Sequence, residues 1–392
     1  MRKKVLFLSS RLPFPLISGE RVKNYNLLNV LSKHFKVHFV SLTDEDIPKD
    51  FFNWAQEKNI SYRIFKKPKI SYLKNLPKAV FNREPLQVNY FYFKDVQKYI
   101  DSIYKDFDLL FPTLIRTAKY VWEKDKPKII DFADSIAQNY LKSKEKTKSP
   151  FWKIVYEIEG KRLLEFEKKC IEQFDRAFLF NIEEVQYFNS PKVQWMPHGV
   201  KEELLTYNKN TDKYKNWIVF FGKMDYQPNV DAVLWFKEHV LPHINPEITF
   251  AIVGARPTEK IKKIENEFEN VKVFGFVDDP YEMLRNSMAV VAPMQTGGGI
   301  QNKVLEAMAV EGLVITTSLS ARPIVGAKNK EHFLVEDSPK GFAETINKLY
   351  ETKNRYEDIR KKARDFIKNN FTWEIYEKKL LTTIEKILRG KE

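Results

Sequence analysis

The sequence predicts an α/β protein of two domains, each built around a parallel sheet. Three observations support this. Apolar runs of strand length alternate with helical patterns, as repeated βαβ units require. The chain has 392 residues, too many for one ordinary core, and 43% of them are apolar, enough to fill two. Residues 288–317, MAVVAPMQTGGGIQNKVLEAMAVEGLVITT, read as strand, glycine loop, helix and strand in unbroken succession.

In chain order, residues 5–9 read as the first strand, since Arg11 ends the apolar run too early for a signal peptide. Pro13, Pro15 and Gly19 form a loop before a helix starting near Glu20. Residues 37–42 form strand two, with His38 as an alternating strand position. Strands follow at 108–111, 129–132 and 177–180, and a long helix spans 151–174. Asp131, Asp134 and Ser135 suggest a metal site, but a helix N-cap at Asp134 or Ser135 explains them more simply. The second half opens with a strand at 217–221, a Gly222–Lys223 loop and a helix from Asn229. A strand then ends at Gly254, and another begins at Val271. Asp278 and Asp279 read as caps of the next helix. After Val325 come a connecting strand, a helix at 341–350 and a final amphipathic helix at 373–388.

The glycine loop carries the chemistry. Gly297, Gly298 and Gly299 allow positive φ and let backbone N–H groups approach an anion. They lie between a strand and a helix N-terminus, where the dipole and free amides favour phosphate. Lys303 is placed to meet a phosphate, and Glu306 to accept hydrogen bonds from a ribose diol. No GxxxxGK[ST] sequence is present, so this is not a Walker loop.

GGGIQNKVLEAMAVEGLVITT resembles the nucleotide-sugar motif of retaining glycosyltransferases of family four, with a variant first loop similar to that of exopolysaccharide-type enzymes. The resemblance implies two facing Rossmann-like domains of the GT-B type, with the active site in the cleft between them. It implies an acceptor domain at 1–199, a donor domain at 200–372 and a terminal helix at 373–392 crossing back. Glu306 matches the family's ribose-binding glutamate. The family's other glutamate would fall eight positions earlier, at Gly298. Lys223 matches the cation that contacts the donor diphosphate. Gly19 and Gly222 match loop glycines, and Phe276 and Val277 match the turn that receives the base. Gly297 to Gly299, Ile300, Gln301, Asn302 and Lys303 complete the implied donor site. On the acceptor side stand Arg21, Thr113 and Arg116, in a region where many relatives carry a histidine. Arg116 reads equally as a structural ion pair. His198 stands where asparagine is common.

The implied activity is hexosyl transfer from a nucleotide-diphosphate sugar to a glycan or lipid-linked acceptor, in cell-surface polysaccharide synthesis. No metal is expected, because Lys223, Lys303 and loop amides would meet the leaving diphosphate; Lys223 and Glu306 are the candidate catalytic residues. An epimerase or hydrolase, or a non-catalytic sugar-nucleotide binder, are the alternatives.

Charge points to a further partner. Residues 1–200 carry 36 basic and 24 acidic residues, a net of +12; residues 201–392 carry 30 and 28, a net of +2. Between Glu57 and Glu84 lie eight basic residues and no acidic one (Lys58, Arg63, Lys66, Lys67, Lys69, Lys74, Lys78, Arg83), interleaved with Phe65, Tyr72, Leu73, Leu76 and Phe81. No nucleic-acid motif accompanies them, so an anionic membrane surface is the expected partner, against a plain solvated face. The single cysteine, Cys170, excludes an internal disulfide and suits a reducing cytoplasm. The expected location is cytoplasmic, peripheral on the membrane.

Overall fold

The computed structural model describes residues 2–16, 18–147, 149–297, 299–353 and 356–390, leaving aside the side chains of residues 80 and 146. The chain divides into two compact units, Met1–Met196 with Glu377–Glu392, and Pro197–Tyr376. The last helix, Trp373–Leu388, therefore begins in the second unit and ends in the first.

The first unit contains β1 (Lys4–Ser9), β2 (Lys36–Thr43), β3 (Ser61–Lys66), β4 (Leu109–Pro112), β5 (Ile129–Ala133), β6 (Arg176–Leu179) and β7 (Val193–Trp195). Two parallel runs, β3-β2-β1-β4 and β5-β6-β7, are joined by bridges Leu110–Lys128 and Thr113–Asp131. The resulting order, 3-2-1-4-5-6-7, is the doubly wound order with its reversal between β1 and β4. Near-continuous apolar runs such as VLFL are buried on both faces, as parallel strands covered by helices must be. Phe7 packs on Phe39 and Phe111 at ring distances of 5.9 and 5.5 Å.

The basic stretch contains a strand that the sequence reading did not assign. Residues 61–66 pair in parallel with β2, and three short helices, Lys69–Leu73, Lys78–Asn82 and Leu86–Tyr90, follow. His38, on β2, bonds Ser61 Oγ at 2.8 Å and Tyr99 at 2.9 Å, so it stands in the strand's hydrogen-bonding fabric.

The second unit holds β8 (Trp217–Phe221), β9 (Thr249–Val253), β10 (Val271–Phe274), β11 (Ala289–Ala292), β12 (Val314–Thr316) and β13 (Leu334–Val335). They form one parallel sheet in the order β10-β9-β8-β11-β12-β13, reversing between β8 and β11. A helix unread in the sequence, Glu357–Asn370, secures the base of β11. From it the buried Arg360 donates to the carbonyls of Arg285, Ser287, Met288 and Glu311 at 2.9–3.0 Å. One guanidinium thereby satisfies four backbone acceptors that burial would leave unpaired.

Candidate functional site

In doubly wound sheets, ligands bind beyond the carboxyl ends of the strands where strand order reverses. In the second unit that point lies between β8 and β11, and the sequence places its glycines and lysines there. β8 ends at Phe221 and runs into Gly222 and Lys223; β11 ends at Ala292 and leads into the glycine loop.

Backbone geometry accounts for the glycines. Gly297 and Gly299 have φ of +95° and +84°, values that carry strain for any side chain. Gly298 lies outside the described residues. Across the sheet edge, a Cβ on Gly254 would come within 1.8 Å of the Gly222 carbonyl oxygen, so the ends of β8 and β9 approach too closely for a side chain. The helix Asn302–Ala309 begins after Gln301 without a side-chain cap. The amides of Gly299, Ile300 and Gln301 donate to no backbone acceptor among the described residues. This is a set of free donors at a helix N-terminus.

Lys303 points inward from this helix. It is 8% exposed, and its ammonium donates to Asn229 Oδ1 and lies 3.5 Å from Met294 Sδ and 4.5 Å from the centre of the Phe220 ring. No carboxylate pairs with it among the described residues, and burial pushes it down from 10.5 to about 7. A lysine this buried without a counter-charge suits a site whose anion arrives with a ligand. Asn229 also donates to the Lys223 carbonyl at 2.8 Å, so one amide couples the two loops.

Lys223 is half exposed and pairs with Asp225 at 3.1 Å, an anion it shares with Arg256 at 3.6 Å. Arg256, just beyond β9, went unmarked in the sequence; a cation following a strand end was its only signal. Glu306 is half buried. Burial pushes its carboxyl up from 4.5 to about 7, opposed by the Lys201 charge and by the Tyr281 hydroxyl, which donates to it at 3.4 Å. Tyr281 and Lys201 were also missed, because neither belongs to a motif. Phe276 is 77% exposed, a bare aromatic face beside the half-buried Val277.

The acidic residues depart in part from the caps expected of them. Asp279 accepts from Tyr207 at 2.8 Å and pairs with Lys209 at 2.7 Å. The helix after it, Tyr281–Asn286, has Pro280 at its N-cap position with no side-chain cap, and Asp279 also takes a backbone hydrogen bond from Tyr281, the helix's first residue. In the first unit Ser135 does cap its helix, accepting from Gln138 N at 3.2 Å, while Asp131 is buried in an ion pair with Lys23. His198 stacks on Trp373 at 6.3 Å within the second unit.

The first unit's residues are largely engaged internally. Gly19 opens the helix Gly19–His34, with nothing within 4 Å of the direction a side chain would take. Arg21 donates to the Phe14 carbonyl and to Glu45, both at 2.7 Å. Thr113 Oγ1 donates to the Leu8 carbonyl at 3.1 Å. Arg116 donates to Gln87 at 2.9 Å, pairs with Glu20 at 3.4 Å and lies over Phe91.

Two parallel Rossmann-like sheets and a phosphate-ready loop at the second one's reversal point define a GT-B fold. Residues 215–352 match the family model described as glycosyl transferases, group 1. A Klebsiella pneumoniae protein named as an uncharacterised 44.6 kDa protein in a cps region is 21% identical over 94% of this chain and 96% of its own length. An uncharacterised glycosyltransferase of Methanocaldococcus jannaschii is 23% identical over 46% of this chain and 48% of its own. Among solved structures, Anabaena HepE in complex with UDP superposes with a TM-score of 0.67 at 13% identity, covering 98% of this chain and all of the other. Thermosynechococcus elongatus sucrose-phosphate synthase gives 0.68 at 14% identity over the whole of both chains. TarM gives 0.71 at 11% identity, over 98% of this chain and 99% of its own. Fold and family match together support a GT-B glycosyltransferase.

Proposed function

We propose that the chain transfers a hexosyl group, with retention, from a nucleotide-diphosphate sugar to a glycan or lipid-linked acceptor in cell-surface polysaccharide synthesis. The observation that carries this reading is Lys303: a buried ammonium with no carboxylate, under a loop of free amides, at the sheet's reversal point. A diphosphate supplies the missing anion. Lys223, released from Asp225, and the amides of residues 299–301 would stabilise charge on the leaving phosphate without a metal ion. Glu306 would hold the ribose, with Phe276 and Val277 beside the base. The bond from the anomeric carbon to phosphate breaks as the bond to the acceptor oxygen forms, and the departing phosphate takes the acceptor's proton. Arg21, Thr113 and Arg116 lie on the side we assign to the acceptor, near the open helix start at Gly19.

HepE's binding of UDP makes a uridine donor the first to test, and the Klebsiella relative's cps region fits a polysaccharide role. The test is a thermal-shift panel of UDP-, GDP-, dTDP- and ADP-sugars, followed by an assay of nucleotide release with and without acceptor. A ligand at 100 times its Kd adds about 2.7 kcal/mol of stability. No shift with any of them would remove the donor reading. Hydrolysis that no acceptor stimulates would favour the hydrolase alternative.

The same proposal seats the first unit on an anionic membrane from the cytoplasmic side. No helix among the described residues is long and apolar enough to cross one. The favourable observation is a set of bare apolar side chains amid basic ones: Ile70 is 56%, Leu73 51% and Phe81 88% exposed.

A further inference from the structure

A cavity of about 170 Å³ opens in the first unit beyond the carboxyl ends of β1 and β2, and none of the residues discussed for the donor is among its lining. Its floor is built. Ser10 and Tyr72 lie on its wall at 1% and 3% exposure, and Arg21 is held there by Glu45 and the Phe14 carbonyl. One side is aromatic: Tyr72 lies 5.0 Å from Tyr90 at an interplanar angle of 32°. The Tyr72 hydroxyl has no hydrogen-bond partner among the described residues, although burial and the Asp44 carboxylate keep the phenol protonated by pushing it up. Tyr72 comes from the basic stretch, so that segment lines a cavity as well as a surface.

The charges lining this cavity balance: two cations, Arg11 and Arg21, and two carboxylates, Asp44 and Glu45, with Arg21 and Glu45 paired at 2.7 Å. An ionic ligand would therefore meet little net field, whereas a neutral polyol finds donors and acceptors already oriented. Aromatic faces supply apolar area for the C–H side of a sugar ring. A cavity of about 150 Å³ holds a bare six-membered ring such as benzene, so this one, of about 170 Å³ and open at its mouth, takes the ring of a single pyranose with its remaining substituents directed outward. We propose that the cavity is a binding site for one neutral sugar residue of the acceptor, with Tyr72 and Asp44 contacting its hydroxyls and Tyr90 its face. This rests on the reading of the chain as a sugar transferase and locates its acceptor chemistry.

The test is saturation-transfer NMR on the full chain with methyl glycosides of glucose, galactose, mannose and N-acetylglucosamine at millimolar concentration. UDP affinity is measured by calorimetry on the same samples. At least one glycoside should give a transfer signal, reduced fivefold or more by Tyr72→Phe, which keeps the ring, and by Asp44→Asn. UDP affinity should be the same in all three proteins. No glycoside signal, or a signal that both variants retain, overturns the proposal. Absence of UDP binding from wild type would instead overturn the donor reading, and leave the glycoside signal to decide the cavity by itself.

Discussion

Consider Lys303 without its ligand. In a solvated chain its amine titrates near 10.5, and in the folded protein burial brings this to about 7. The difference is worth roughly 5 kcal/mol, at about 1.4 kcal/mol per pH unit. Between those two values the unfolded chain holds the extra proton, so the folded state gains stability as pH rises through that window. A diphosphate reverses the local preference, since it favours the charged amine. Donor binding above pH 7 must then take up a proton, and affinity should fall by up to tenfold per pH unit. From pH 7, where half of the amine is already neutral, to pH 9 that amounts to about 50-fold, or about 2.3 kcal/mol. The assay is calorimetry of UDP-glucose at pH 7, 8 and 9, in buffers of different ionisation enthalpy so that protons are counted. The sugar-linked diphosphate lacks the terminal phosphate ionisation near 6 that would confuse the count. Lys303→Met preserves length and apolar packing and removes the charge; it should bind weakly and independently of pH. A flat wild-type profile from pH 7 to 9, or a slope that survives in Lys303→Met, would refute the reasoning.

Other consequences are as direct. Glu306, pushed up to about 7, should impose the opposite limb: donor affinity drops below pH 7 as the carboxyl protonates, and Glu306→Gln should flatten that limb. Glu306→Ala should weaken donor binding by roughly 1–3 kcal/mol, with Gln costing less; unchanged affinity by calorimetry would end the ribose assignment. Turnover should persist in EDTA, and loss of activity restored by magnesium or manganese would end the metal-free scheme. Wild type should sediment with anionic vesicles at low salt, and changing Lys66, Lys67, Lys69 and Lys74 to Gln should release it while UDP affinity is kept. Because Lys66, Lys67 and Lys69 have Asp46, Asp95 and Asp44 as partners, Phe81→Ser provides a second probe of the apolar part. Equal sedimentation of all three proteins would reduce this stretch to a solvated face.

The glycine loop was legible because its information is local. Positive φ at Gly297 and Gly299, a helix N-terminus three residues on and a strand before it are properties of one short segment, and residue type alone implies them. The strands were legible for the same reason, since burial on both faces requires runs of apolar side chains. β3 escaped because it is an edge strand with no fully buried residue: Ser61, Arg63 and Lys66 interrupt Tyr62, Ile64 and Phe65, so no apolar run marks it. Asp279 looked like a cap because an aspartate before a helix usually is one, yet Lys209 and Tyr207, some 70 positions away, claim it as well. The sequence by itself determined two parallel α/β sheets and which loop carries positive-φ glycines into a helix N-terminus. Only tertiary structure decided that Lys303 is buried against Phe220 and Asn229 with no carboxylate, that Asp225 joins Lys223 to Arg256, and that Tyr72 lines a cavity. The physical reason is strand order. Which loops meet at a sheet's edge depends on pairings between segments far apart in the chain, and neither composition nor periodicity encodes them.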